Sequence, residues 1–252
     1  MENKKALITG ASSGIGRSMA KYLETLDIEL ILVGRDKNKL EELQSELKVK
    51  SKVVIADLAD ITKVKELYVL TRSEDIDILI NNAGFGLFGE FVDIDINKEL
   101  EMINTNIKAV HLLTKLFLRD MKKRNSGYIL NVASSAAFEP GPLMATYYAT
   151  KAYVNNLSEA INEELSRINS NVIVSSLCPG PVDTNFNNVA GVKFKVKPLS
   201  SDYVAKYAID KLLQGKAVIV PGFTMKLVLF VKRFASRKLI RKIIYNIQEA
   251  KK

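Results

Sequence analysis

Along most of this chain, short runs rich in Ile and Val alternate with segments of helical character, and the runs are apolar on both faces. A strand with one wetted face alternates apolar and polar residues; a strand covered on both faces does not. The strands expected on this basis are Lys5–Thr9, Ile28–Val33, Lys52–Ala56, Ile76–Ile80, Tyr128–Val132, Val172–Leu177 and a short Ala217–Val220. Between them, helices are expected over Ile15–Leu26, Asp36–Leu47, Ile61–Arg72, about Asn97–Lys123, Ala145–Arg167 and Ser201–Leu213, with Asp36 and Asp60 as N-terminal caps. Repeated strand–helix units need right-handed crossovers. The expected fold is α/β: a single-domain Rossmann-type doubly wound parallel sheet, with residues 1–222 as the body and 223–252 as a helical C-terminal extension.

In such a sheet, ligands bind beyond the carboxyl ends of the strands. The first strand runs into Thr9-Gly10-Ala11-Ser12-Ser13-Gly14-Ile15-Gly16. Side chains at 10, 14 and 16 would keep the backbone from a pyrophosphate and the next helix from the sheet. The helix opening at Ile15 offers free N–H groups and a partial positive charge to phosphates. The second strand ends in Val33-Gly34-Arg35. A carboxylate near position 34 would hold the ribose hydroxyls of NAD; its absence, followed by Arg35, favours the 2′-phosphate of NADP, with Ser12 placed to add a hydrogen bond. An ordinary surface arginine is the alternative reading of Arg35.

Tyr147-Tyr148-Ala149-Thr150-Lys151 places Tyr147 and Lys151 one turn apart on a helix, thirteen residues after Ser134. The spacing alone is weak, since Tyr207 and Lys211 repeat it on what reads as a surface helix. Taken together, the glycine turn (9–16), Asn81-Asn82-Ala83-Gly84, Asn106 within Asn104-Thr105-Asn106, Ser134, the 147–151 motif and Pro179-Gly180 followed by Thr184 resemble the short-chain dehydrogenase/reductase family up to about Gly222.

That resemblance implies an NADP-dependent oxidoreductase acting on a carbonyl or alcohol. Tyr147 would be the general acid/base and Ser134 would hold the carbonyl oxygen. Lys151 would lower the tyrosine pKa and bind the nicotinamide ribose, and Asn106 rather than Asn104 would anchor a water in a proton relay. Gly10, Ser12, Ser13, Gly14, Ile15, Gly16 and Arg35 would hold the cofactor's phosphates. Asp57 and Leu58 would meet adenine, Asn82, Ala83 and Gly84 its ribose, and Pro179, Val182 and Thr184 the carboxamide. Tyr148 and the lone His111 read as packing or surface residues, and no metal site is expected.

Substrate contacts are expected from 85–91, with Leu87 and Phe88, and from a lid-like 185–197, where Phe186, Val189, Val192 and Phe194 alternate with Lys193, Lys195 and Lys197. The aromatics suggest an apolar carbonyl; the lysines would admit an anionic group.

Net charge is +9, but Pro221–Lys252 holds nine Lys/Arg against one acid, a local +8. The near-neutral body gives no sign of nucleic-acid binding. In the tail, Leu227, Phe230, Val231 and Phe234 share one helical face, and Leu239, Ile240, Ile243, Ile244 and Ile247 another. Such a tail packs on its own core, lies on a membrane surface or contacts another subunit. The single Cys178 and the lack of a leader-like segment point to a cytoplasmic protein, and a homo-oligomer is expected. Two rival functions share these features: a non-catalytic cofactor-sensing regulator and a membrane-surface adaptor.

Overall fold

Each expected strand of the main sheet forms, because each is a run that can be covered on both sides. The structure, a computed structural model, describes residues 4–184, 186 and 198–250. Its strands are β1 (Lys5–Thr9), β2 (Glu29–Gly34), β3 (Ser51–Ile55), β4 (Ile78–Asn81), β5 (Gly127–Val132), β6 (Val172–Leu177), β7 (Val182–Asp183), β8 (Leu199–Ser200) and β9 (Val218–Ile219). Seven of them form one parallel sheet in the order β3-β2-β1-β4-β5-β6-β9. Ile8 of β1 sits beside Leu32 of β2 and Ile80 of β4. Chain direction across the sheet reverses between β1 and β4, which opens a crevice at their carboxyl ends.

The helices are α1 (Gly14–Glu24), α2 (Lys37–Glu46), α3 (Ile61–Thr71), α4 (Ile96–Ile103), α5 (Val110–Arg124), α6 (Ala145–Arg167), α7 (Ser201–Leu213), α8 (Phe223–Val231) and α9 (Arg237–Glu249). The expected boundaries of the main elements hold to within two residues. Asp36 and Asp60 cap α2 and α3, accepting from the backbone N–H of Lys39 and Thr62. Two features were not anticipated. A π-turn, Asn104–Ala109, joins α4 to α5, and the two-residue strands β7 and β8 pair beside the main sheet.

Successive β-residues feed opposite faces of the sheet. Ala6, Ile8, Leu30 and Leu32 pack with Met19 and Leu23 of α1 and Val204, Ala208 and Leu212 of α7. Leu7, Ile31, Val33 and Leu79 pack on the other face with Val64 and Leu67 of α3 and Leu113, Phe117 and Met121 of α5. This double cover is why the strands read as unbroken apolar runs. The C-terminal segment forms two helices as expected, with Ser236 capping α9 through Leu239 N–H. They bury little: no residue of α8, and only Ile244 and Gln248 of α9.

Candidate active site

The glycine turn lies at the carboxyl end of β1, at the crevice. Gly10 takes a left-handed φ of 64°. A Cβ on Gly16 would lie 2.3 Å from the carbonyl oxygen of Gly10, so only hydrogen lets α1 start this close to the strand. Ser13 caps α1 by backbone alone, with no side-chain cap, and leaves the first N–H groups free for an anion. Asn82 braces the turn, its Nδ2 donating to the carbonyls of Thr9 and Gly10, each at 3.0 Å. Thr9 Oγ1 in turn accepts from the N–H groups of Asn82 and Ala83. Thr184 arrives from beyond β7, its methyl about 3.0 Å from where a Cβ of Gly14 would be.

Ser12 lies over Gly34, beside Arg35. Arg35 is exposed and donates to Glu101 Oε1 at 3.0 Å. Leu58 is buried, while Asp57 accepts from Ala59 N–H and is exposed. Pro179 and Val182 are both buried beyond β6, and the Pro179 carbonyl accepts from Ser135 N–H at 2.8 Å. These contacts bring Gly10, Gly14, Gly16, Asn82, Ala83 and Thr184 together around the turn.

Ser134 follows β5 and caps the short 3-10 turn Ser135–Phe138. Ser134 lies near the Tyr147 hydroxyl and its interaction with that phenol favours the ionised form. Lys151, one turn further along α6, is buried; its Nζ donates to Val132 O at 2.8 Å and sits 5.9 Å from the centre of the Tyr147 ring. Asn106, 1% exposed, donates from Nδ2 to Phe85 O and Thr150 Oγ1, and its Oδ1 accepts from Phe85 N–H. Of the two asparagines, Asn106 is therefore the one at the site. Its amide clamps the backbone of Phe85, while Gly84 lies between Asn106 and Lys151.

One electrostatic expectation is reversed. Burial pushes the Tyr147 phenol well above its ordinary pKa, with the nearby Ser134 pulling the other way. Lys151 does not lower it here, because burial holds the lysine's own pKa down to about 8 and Nζ is turned to Val132 O. Tyr147 is thus protonated at neutral pH.

Around the Tyr147 ring lies an apolar cluster. Met102, Ala136, Met144 and Tyr147 are buried together, with Phe85, Leu87, Phe88, Tyr148 and Phe186 packed against them. Leu87, Phe88 and Phe186 were anticipated, whereas Met102 and Met144 were not; nothing in their local sequence marks them. Phe91 is 64% exposed and stands apart. Tyr148 does pack, edge-on to Tyr147, and its hydroxyl also accepts from Gln248 of α9 at 2.6 Å. That tail contact carried no sequence signal. Apart from Phe186, the expected lid lies outside the described residues. His111 pairs with Tyr153 on the surface of α5 and α6. Cys178 is buried, its thiol pushed up to about 11 by desolvation. Among the described residues no group of acidic, His and Cys side chains could hold a metal.

The family profile described as short chain dehydrogenase matches residues 4–192. This chain belongs to the short-chain dehydrogenase family. As a short-chain dehydrogenase it is an NAD(P)-dependent oxidoreductase. An uncharacterized oxidoreductase of Staphylococcus epidermidis is 34% identical over 229 residues, 90% of this chain and 98% of its own. A short-chain dehydrogenase from Sphingobium yanoikuyae, solved in complex with NADPH, superposes with a TM-score of 0.83 at 29% identity, covering 94% of this chain and 95% of that one. The bulky-bulky ketone specific alcohol dehydrogenase from Comamonas testosteroni gives a TM-score of 0.80 at 28% identity, over 92% of each chain.

Proposed function

We propose that this short-chain dehydrogenase is an NADP-dependent reductase of bulky, apolar carbonyl compounds. The observation that carries the reading is the apolar cluster packed around the Tyr147 ring. A carbonyl oxygen reaching the Tyr147 hydroxyl must bring its substituents among Met102, Met144, Phe85 and Phe186, where small polar molecules lose more hydration than they recover. The Comamonas enzyme's stated preference for bulky ketones supports the same class.

The glycine cradle, the open start of α1 and the buried Lys151 beside Gly84 fit a dinucleotide. When bound, its nicotinamide supplies a hydride to the carbonyl carbon. Ser134 orients the carbonyl oxygen, and Tyr147 Oη donates the proton that completes the alcohol. A tyrosine held protonated by burial is suited to that direction. Lys151 fixes the pocket floor at Val132 O, and Asn106 fixes its wall at Phe85.

For the cofactor, Arg35 is the deciding residue. Its exposed pair with Glu101 is worth about 0–1 kcal/mol, less than a guanidinium gains on a phosphate. A 2′-phosphate therefore competes well for it. The buried, unpaired Cys178 supports a cytoplasmic location.

The test is NADPH oxidation with aryl and branched alkyl ketones against small polar sugars, in wild type and Arg35→Ala. Bulky ketones should be turned over about 10- to 100-fold more efficiently. Arg35→Ala should weaken NADPH binding about 10- to 100-fold and NADH about twofold or less. A preference for sugars defeats the substrate reading; equal loss of both cofactors defeats the NADP reading.

A further inference from the structure

The C-terminal helices carry more apolar side chains than their contact with the body buries. In α9, Ile240, Ile244 and Gln248 recur every fourth residue and face inward. Leu239, Ile243 and Ile247 recur with the same period one position earlier, and each is about half exposed. In α8, Met225 turns toward Gly180. The outward face instead presents Phe223, Leu227, Val228, Phe230 and Val231, continued by Phe234; Phe223 and Phe234 are each 80% exposed. The stripes expected from sequence therefore point mainly into solvent, not into the core.

The charges follow the same division. Lys226 and Lys232 turn back to the protein, on Tyr207 Oη and on Glu139. Arg233, Arg237, Lys238, Arg241 and Lys242 are exposed and make no ion pair among the described residues. Unpaired cations thus flank the exposed apolar face of α9, and Arg233 follows that of α8. No described helix is long and apolar enough to cross a membrane.

We propose that residues 223–250 dock the protein on an anionic lipid bilayer, with the outer faces of α8 and α9 lying in the interface plane. Lipid headgroups supply the negative charge that these cations lack, and the acyl boundary takes up the phenylalanines and leucines. A second copy of the chain is the poorer occupant. A two-fold contact through this face sets +8 against +8, and the remainder of the chain is close to neutral at net +1. The inner faces meanwhile stay seated on Glu139 and Tyr148, so docking leaves the tail's grip on the site wall in place.

Flotation of the full chain with phosphatidylcholine vesicles, alone or mixed with phosphatidylglycerol, tests this at low and high salt. The protein should float only with the mixed vesicles and be released by salt. Replacing Arg237, Lys238, Arg241 and Lys242 by Gln should weaken binding on the order of 100-fold or more, and Phe230→Asp with Phe234→Asp should abolish it. Circular dichroism and NADPH binding should be unchanged in both variants. If either variant fails to fold, the lipid and salt arms of the wild-type experiment still decide. No flotation with mixed vesicles overturns the proposal, as does equal flotation with phosphatidylcholine alone. A dimer that the same substitutions dissociate, without vesicle binding, assigns the face to a second copy instead.

Discussion

Tyr147/Lys151 on α6 and Tyr207/Lys211 on α7 share one spacing and nearly one geometry, with Nζ 5.9 Å and 5.8 Å from the respective ring centre. Their surroundings differ in every other way. Tyr147 and Lys151 are 8% and 5% exposed, between Ser134 and Val132 O. Tyr207 and Lys211 are half-buried; Tyr207 Oη accepts from Lys226, and Lys211 donates to Gln214. A motif defined by helical periodicity places two side chains near each other. Only the strand ends around it decide whether they face a crevice or the solvent.

The sharpest way to break this contrast is to remove each hydroxyl. Tyr147→Phe should lower kcat/KM for a ketone by about 10²- to 10⁴-fold, the usual range for a lost general acid. Tyr207→Phe should leave it within about twofold, as expected of a surface change. Steady-state NADPH oxidation with both variants reads the difference. Comparable losses would put the chemistry elsewhere.

A smaller difference should appear in stability. Lys151 has a pKa near 8 in the fold against an ordinary 10.5. Between those values the unfolded chain binds more protons than the folded one, so stability rises with pH across that window. Below pH 8 the fold carries the full cost of a buried ammonium, on the order of 3 kcal/mol. Lys151→Met removes that cost and loses about 1 kcal/mol with the hydrogen bond to Val132 O. The variant should be inactive yet more stable at pH 7 by about 2 kcal/mol, an advantage that shrinks toward pH 10. Lys211→Met should shift stability by less than about 0.5 kcal/mol. Urea unfolding at the two pH values checks both, and a Lys151→Met protein weaker than wild type at pH 7 would contradict the buried-charge account.

Much of this was legible in sequence because it follows from periodicity. Ile8, Leu32 and Ile80 announce a doubly covered sheet, and the glycines after Thr9 announce a close backbone approach. Asp36 and Asp60 announce their helices. The parts that were not legible depend on distant segments meeting. Met102 of α4 and Met144 ahead of α6 join Tyr147 only through the fold. The direction of the tyrosine's pKa shift depends on how far Tyr147 itself is desolvated, which spacing does not contain. In the tail the apolar stripes were readable, but which half faces the body was not: Ile240 and Leu239 look alike in sequence and end on opposite sides.

The tail touches both tyrosine regions, and there the expected effects are smallest. Gln248 Nε2 donates to the hydroxyl of Tyr148, whose ring stands edge-on to Tyr147; Lys226 donates to Tyr207. Tyr148 is largely enclosed, and its phenol is pushed up to about 12 by burial. A buried hydroxyl that loses its partner costs about 1–3 kcal/mol, whereas a half-exposed one recovers water. Gln248→Leu should therefore destabilise the protein by about 1–2 kcal/mol and raise KM for a bulky ketone a few-fold, with kcat nearly unchanged, because Tyr148 walls the pocket without touching the transferred proton. Lys226→Met, at the other pair, should move neither quantity measurably. If Gln248→Leu lowers kcat as strongly as KM rises, the tail acts on the reacting hydroxyl of Tyr147 and not only on the wall beside it.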